Sequence, residues 1–207
     1  VTRGALLQAA TAVFVEQGYE LARVRDIADR ASANVAAINY HFGGKQALYV
    51  AVLRQHAGER IERYPLPDPT VATSGEAGLR TAIDMLLSRF LADDQRGVVP
   101  KLLMREFAVP TPALTTLIED LIAPQFRQLS AVVAGLLGEQ APAETVTRCS
   151  FSIVSQCMFY LFARPLVQTL APQTYADDAL EQLSAHITQF SFAALQAQRR
   201  RLETPDA

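Results

Sequence analysis

An all-α fold of about nine helices is predicted by three observations on the sequence. Apolar residues recur at intervals of three and four along almost the whole chain, the spacing of one helix face. No stretch sustains an alternation of apolar and polar residues, and neither Asn-Gly nor Asp-Gly occurs to turn a hairpin. Half of the 207 residues are hydrophobic, enough for a buried core between helices.

The first helix is expected over residues 2–17, where Leu6, Ala9, Ala10, Val13 and Phe14 share a face. Gly18 follows at the position where a left-handed residue closes a helix. A short second helix, 24–31, carries Ile27, Ala28 and Ala31 and ends in Ser32-Ala33-Asn34. Asn34 suits the N-cap of a third short helix, 35–41, because its side-chain oxygen can take one of the free first-turn N–H groups. Gly43 and Gly44 stop that helix, and a fourth runs over 45–64. Pro65, Pro67 and Pro69 break the pattern, so the stretch through Gly75 reads as a linker or loop. Helices follow at 76–92, 98–109 and 113–137, with Val109-Pro110-Thr111-Pro112 between the last two and a bend expected at Pro124. Two long helices, 142–171 and 175–201, close the chain.

Composition excludes several classes. The longest apolar runs, such as Met158 to Ala163, fall far short of the roughly 20 residues that cross a bilayer. No basic-then-apolar leader precedes them, so a cytoplasmic protein with no membrane partner is expected. Cys149 and Cys157 lie on one predicted helix, where eight residues at about 1.5 Å each place them about 12 Å apart, beyond disulfide reach. Core positions in a reducing compartment fit them better. The net charge of -2 gives no global signature for nucleic acid. Its distribution is more telling: residues 1–56 hold six Arg and Lys against four Asp and Glu, so the N-terminal segment is the part suited to a polyanion.

The segment Ile38 to Tyr49, INYHFGGKQALY, gathers aromatic rings, an imidazole, a glycine pair and an ammonium group. A nucleotide phosphate loop needs a preceding strand, a Gly at each end of a four-residue gap and Lys followed by Ser or Thr. Here Gln46 follows Lys45 and a helix comes first. His41, His56 and His186 form no metal-ligand spacing, and His56 with Glu59 is a lone helical pair, so neither metal nor cofactor is expected. What remains is two short helices across a tight turn, steadied by a longer first helix: the helix-turn-helix arrangement, whose second helix enters the major groove.

The run from Gly18 to Leu48, GYELARVRDIADRASANVAAINYHFGGKQAL, resembles the DNA-binding domain of TetR-type transcriptional regulators. Its Gly-Tyr after the first helix, its Arg-Asp-Ile-Ala in the second and its Tyr-His-Phe-x-x-Lys match that family in order and spacing. Met104 to Leu114, MREFAVPTPAL, is similar to a stretch in one subgroup of the family's ligand-binding domains. The resemblance implies a helix-turn-helix DNA-binding domain over 1–46 and a larger helical ligand-binding and dimerisation domain over 47–207. Four positions depart from it: Ala22 and Arg23 stand where Thr or Ser is frequent, Ser32 where Gly is common, and Asn39 where an aromatic is usual.

Resemblance and chemistry together assign Tyr40, His41 and Lys45 to the DNA backbone, since all three are donors, and such contacts fix register rather than sequence. Arg23 is expected to join them; Arg25 can do the same or pair with Asp29 four residues on. Val35, Ala36, Ala37 and Asn39 are expected to meet the bases, with Asn34 beside them at the helix start. Small side chains allow close approach, and an Asn can bond adenine N6 and N7. Phe42 is expected to face inward.

One such module makes few base contacts, so a symmetric dimer is expected to place two of them on a palindromic operator. Cys149 to Phe162 is apolar nearly all round, which calls for cover on more than one side. Phe151, Val154, Met158 and Phe162, with Leu183, Ile187 and Phe190 of the last helix, are the candidate dimer interface. Met85, Phe90, Met104, Phe107, Phe126 and Tyr160 are candidates to line a pocket for a largely apolar or aromatic small-molecule effector, with Arg105 and Glu106 either orienting it or serving as surface charges. The expected function is a ligand-responsive repressor without enzymatic activity. The rivals are a helical protein-interaction module with a vestigial helix-turn-helix and an enzyme on a helical scaffold, the latter lacking any readable catalytic constellation.

Overall fold

The computed structural model describes residues 2–66, 75–91 and 98–204, except the side chains of residues 99 and 100. Every regular element among the described residues is helical. In order they are α1 (Arg3–Leu21), α2 (Val24–Arg30), α3 (Val35–Phe42), α4 (Lys45–Arg63), α5 (Glu76–Leu91), α6 (Val98–Ala108), α7 (Ala113–Leu117), a π-helical turn (Ile118–Ile122), α8 (Ala123–Leu137), α9 (Ala143–Phe162), α10 (Arg164–Leu170), a 3-10 turn (Pro172–Tyr175) and α11 (Ala179–Glu203). The expected linker from Pro67 lies outside the described residues up to 74.

The chain forms two compact units. The first comprises Val1–Arg60 and Asp93–Ala123, the second Ile61–Ala92 and Pro124–Ala207. In the first, α1 starts on Thr2, whose hydroxyl accepts from the Ala5 N–H at 3.3 Å. Its Leu6, Ala10, Val13 and Phe14 are buried with Ile27, Ile38, Leu48, Tyr49 and Val52, so one core binds the first four helices. Leu102, Ala113 and Leu117 of α6 and α7 complete that core. Each fully buried Leu or Ile contributes about 1.5–3 kcal/mol, which is why α2 and α3, too short to be stable alone, are held in place.

The second unit centres on Leu79, Ile83 and Leu87 of α5, packed with Leu129, Val133, Ile153, Cys157, Ile187 and Leu195. Arg89 is buried here; its Nε donates to the Tyr64 carbonyl at 2.6 Å and its Nη2 to Gln125 Oε1 at 2.9 Å. Burial pulls its pKa down to about 10. Cys157 is buried and Cys149 half-buried, both as free thiols.

Three boundaries differ from expectation, each for a local reason. The predicted helix over 142–171 is two helices bent by 76° at Ala163. Pro165 lies in the first turn of α10, where its missing N–H is harmless only if a new helix begins there. The last helix begins at Ala179 rather than 175, because residues 172–175 form the 3-10 turn, in which the Tyr175 hydroxyl donates to the Tyr160 carbonyl at 2.6 Å. The run over 113–137 meets Pro124 by widening into the π turn, where the Ala123 N–H reaches back to Ile118. No single helix among the described residues is long and apolar enough to cross a membrane.

Candidate nucleic-acid interface

The turn between α2 and α3 is built by backbone bonds. The Ser32 N–H donates to Asp29 O at 3.1 Å and the Ala33 N–H to Ala28 O at 2.8 Å. Ser32 holds φ at 51°, the left-handed region that L side chains resist, which accounts for glycine being common at this position of the resembling sequences. Asn34 then caps α3 as expected, its Oδ1 accepting from the Ala37 N–H at 2.8 Å. Its amide NH2 stays available outward. Gly43, with φ at 83°, ends α3 as its N–H donates to Asn39 O at 2.9 Å.

Only Ile38 of α3 is buried. The helix is held on the core by Ile38, with Ala37 and Phe42 packed partly against it, and offers its remaining face outward. Val35, Ala36, Asn39 and Tyr40 are exposed, Tyr40 at 85%, while Ala37 is half-buried. Of the residues expected to read bases, Val35, Ala36 and Asn39 are exposed, whereas Ala37 packs partly against the core. Arg23 is the exposed residue capping α2, and Arg25 sits 4.0 Å from Asp29, an exposed pair of little energetic weight that leaves the guanidinium free to exchange partners.

On the flank, Lys45 opens α4. Its Nζ lies 4.6 Å from the centre of the Tyr19 ring and donates to the Glu20 carbonyl at 3.2 Å. The ammonium is thereby positioned by an aromatic face and one carbonyl, with donors to spare. His41 is half-buried between the rings of Tyr40 and Phe42, at 5.0 and 6.4 Å. Phe42 is partly buried against the core, with the Arg3 guanidinium 4.8 Å over its ring. A groove of about 1080 Å³ opens here, lined by residues that include Arg3, His41, Phe42, Lys45, Arg54 and Thr116. Arg54 forms an ion pair with Asp120.

Sequence reading missed what holds this head from behind. Glu106 is buried rather than a surface charge, and Arg105, though exposed, is tied to the chain by a hydrogen bond. Arg105 Nη1 donates to the Phe14 carbonyl at 3.1 Å, closing the C-terminal end of the regular part of α1. Glu106 is 1% exposed and accepts from the Thr111 hydroxyl at 3.0 Å, from the Thr111 N–H at 3.3 Å and from the Tyr49 hydroxyl. Tyr49 also stacks edge-on against Phe14 at 4.7 Å and lies 5.0 Å from Tyr19. The Gly-Tyr pair after α1 thus has two separate jobs: Gly18, φ 79°, makes the kink, and Tyr19 links Lys45 to the core.

Comparison with known proteins decides what this head belongs to. Residues 6–52 match the family model described as bacterial regulatory proteins, tetR family, and residues 76–197 match that of the HTH-type transcriptional dual regulator CecR, C-terminal domain. The chain belongs to the TetR family of bacterial transcriptional regulators. It is therefore a DNA-binding transcriptional regulator and not an enzyme. Over 189 residues it is 28% identical to the HTH-type transcriptional dual regulator CecR of Shigella flexneri, covering 86% of this chain and 83% of that one. Among solved structures it shares its fold with a transcriptional regulator from Pseudomonas aeruginosa PAO1, at TM-score 0.70 and 21% identity over 96% of this chain and 92% of the other. It shares it also with FadR of Bacillus subtilis in complex with stearoyl-CoA, at TM-score 0.65 and 17% identity over 93% and 98%.

The remaining candidates of this TetR-family chain are distributed as follows. Of the expected pocket residues, Met104 and Phe107 are exposed residues of the first unit. Met85, Phe90 and Tyr160 pack against the second core, and Phe126 lies 4.5 Å from Phe151 ring to ring. Of the expected interface residues, Phe151 and Phe190 are exposed, and Val154, Met158 and Phe162 are half-buried. Leu183 and Ile187 turn instead into the second unit's own core. A cavity of about 460 Å³ lies between α9 and α11, lined by Ser152, Ser155, Gln156, Phe159, Tyr160, His186, Ile187 and Phe190.

Proposed function

We propose that this regulator represses transcription inside the cell by seating a homodimer on a palindromic operator, from which a largely apolar small molecule releases it. Residues 1–46 act as the DNA-binding domain and 47–207 as the ligand-binding and dimerisation domain. The observation that carries the reading is α3 itself: capped at both ends, anchored by the buried Ile38 with Ala37 and Phe42 beside it, and exposing Val35, Ala36, Asn39 and Tyr40. A dimer occupying DNA excludes other proteins from it, which makes repression the simplest outcome.

Dimerisation is supported by Phe151, Phe159 and Phe190, each more than half exposed on α9 or α11. Large aromatic side chains exposed on these two helices suit a partner surface, and two copies of α9 and α11 can form a four-helix interface. For the effector, the Ser184 and Thr188 hydroxyls are buried in the second unit with no hydrogen-bond partner. Such groups cost about 1–3 kcal/mol each when unsatisfied, and a ligand with a polar group on an apolar body would relieve them. That FadR of Bacillus subtilis was solved with stearoyl-CoA supports an acyl-bearing molecule of this kind.

Fluorescence anisotropy of labelled duplex DNA tests the reading. Specific binding that weakens steeply between low and moderate salt, and is reversed by a long-chain acyl compound, is expected. Binding indifferent to both salt and DNA sequence would overturn it.

A further inference from the structure

Arg3 lies outside the helix-turn-helix and no resemblance assigns it a role. Its guanidinium nevertheless sits 4.8 Å over the ring of Phe42, the last residue of the recognition helix, and Arg3 lines the same groove as His41 and Lys45. It is exposed, and it stands at the first position of α1, where the helix dipole disfavours a cation. The contact with Phe42 positions the guanidinium at the groove without using up its five N–H donors, since the ring attracts the cation's charge and is not a conventional hydrogen-bond acceptor. Pre-positioned donors in a fork of this kind match the oxygens of a phosphodiester.

We propose that Arg3 is a further DNA-contacting residue, donating to a backbone phosphate of the operator from the groove flanking the C-terminal end of α3. The inference rests on the reading of α3 as the recognition helix and extends the contact surface to the start of α1. It makes the cation–π pair a positioning device: Phe42 belongs to the recognition helix, so the phosphate clamp and the base-reading helix move together.

The test measures binding of the full chain to its selected operator and to single-base variants of it, as a function of salt. Wild type is compared with Arg3→Ala, Arg3→Lys and Lys45→Ala, with thermal unfolding of each. Arg3→Ala is expected to weaken binding about tenfold and equally across the operator variants, and to lower the slope of log affinity against log salt by about 1, with an unchanged melting temperature. Arg3→Lys should restore the salt slope but only part of the affinity. If Lys45→Ala weakens binding while Arg3→Ala keeps wild-type affinity and slope, the Arg3 contact is overturned and the recognition reading stands. If wild type itself selects no operator, both fall.

Discussion

Arg105 and Phe14 are joined across 91 positions of sequence by one hydrogen bond, the guanidinium donating to the main-chain carbonyl at 3.1 Å beside Gly18. A Cβ at Gly18 would lie 3.0 Å from Arg105 Nη1, the movable end of a long side chain, so the glycine is required for its φ of 79° while the arginine would shift by a small amount. Gly18→Ala should cost about 1–3 kcal/mol from a backbone of φ 79° and ψ 175° that L side chains avoid, and should weaken the Arg105 hydrogen bond as the guanidinium moves aside. Arg105→Ala should cost roughly 1–3 kcal/mol through the lost charged hydrogen bond. Because shortening Arg105 relieves the contact, the double variant should lose less than the two singles together. Denaturant unfolding of all four proteins measures this; strict additivity would show that the two residues do not share a site.

Ser32 holds its φ of 51° at a cost glycine would not bear. The left-handed penalty of roughly 1–2 kcal/mol exceeds the added chain entropy of glycine, about 0.5–1 kcal/mol. Ser32→Gly is therefore expected to raise stability by about 0.5–1 kcal/mol, visible as a higher melting temperature. A lower one would mean the serine side chain contributes more than its backbone costs.

The Tyr49 hydroxyl is raised well above its ordinary pKa, first by burial and then by its bond to Glu106 and that carboxylate's charge. An unfolded tyrosine loses its proton near pH 10, while the folded protein retains it. Stability present below pH 10 is consequently lost as pH rises beyond it, with a limiting slope of about 1.4 kcal/mol per pH unit for one group. Cys157, whose thiol burial pushes up to about 12, acts with the same sign. Tyr49→Phe should be less stable at pH 8 yet decline less steeply between pH 10 and 11. Parallel curves for the two proteins would remove Tyr49 from the account.

Asn39 is exposed on α3 where an aromatic is usual in the resembling sequences. If it bonds adenine, Asn39→Ala should flatten preference at one position of each half-site by about 1–3 kcal/mol. Lys45→Ala should instead weaken all sequences alike. Binding to a panel of single-base operator variants separates the two patterns.

Phe190 is 62% exposed on α11 and Phe151 57% exposed on α9. Replacing either by Glu should shift sedimentation from dimer toward monomer without lowering helix content, since neither belongs to the buried core of the second unit. An unchanged dimer would move the interface elsewhere.

The head was legible because its signals are local. The Asn34 cap, the glycine pair and the spacing of Ile27 and Ile38 each act within a few residues, and α1 to α4 follow from them. The support behind it was not legible: Arg105 and Glu106 find Phe14, Tyr49 and Thr111 by tertiary packing, and a carboxylate on a helix carries no mark of burial. Periodicity likewise placed Leu183, Ile187 and Phe190 on one apolar helix without saying which side met the core. The break before Pro165 could have been read, since proline favours a first turn over a helix interior. The glycine common in place of Ser32 was noted from resemblance, but its reason, a left-handed backbone, needed the structure.

Selection of bound duplexes from a random-sequence pool by the full chain tests the central claim most directly. Enrichment of a palindrome whose half-sites lie about one helical turn or a multiple apart, with Asn39→Ala enriching a relaxed version of it, is the predicted result. A pool that returns no shared sequence, or the same sequence with and without Asn39, would contradict α3 as the element that reads the operator.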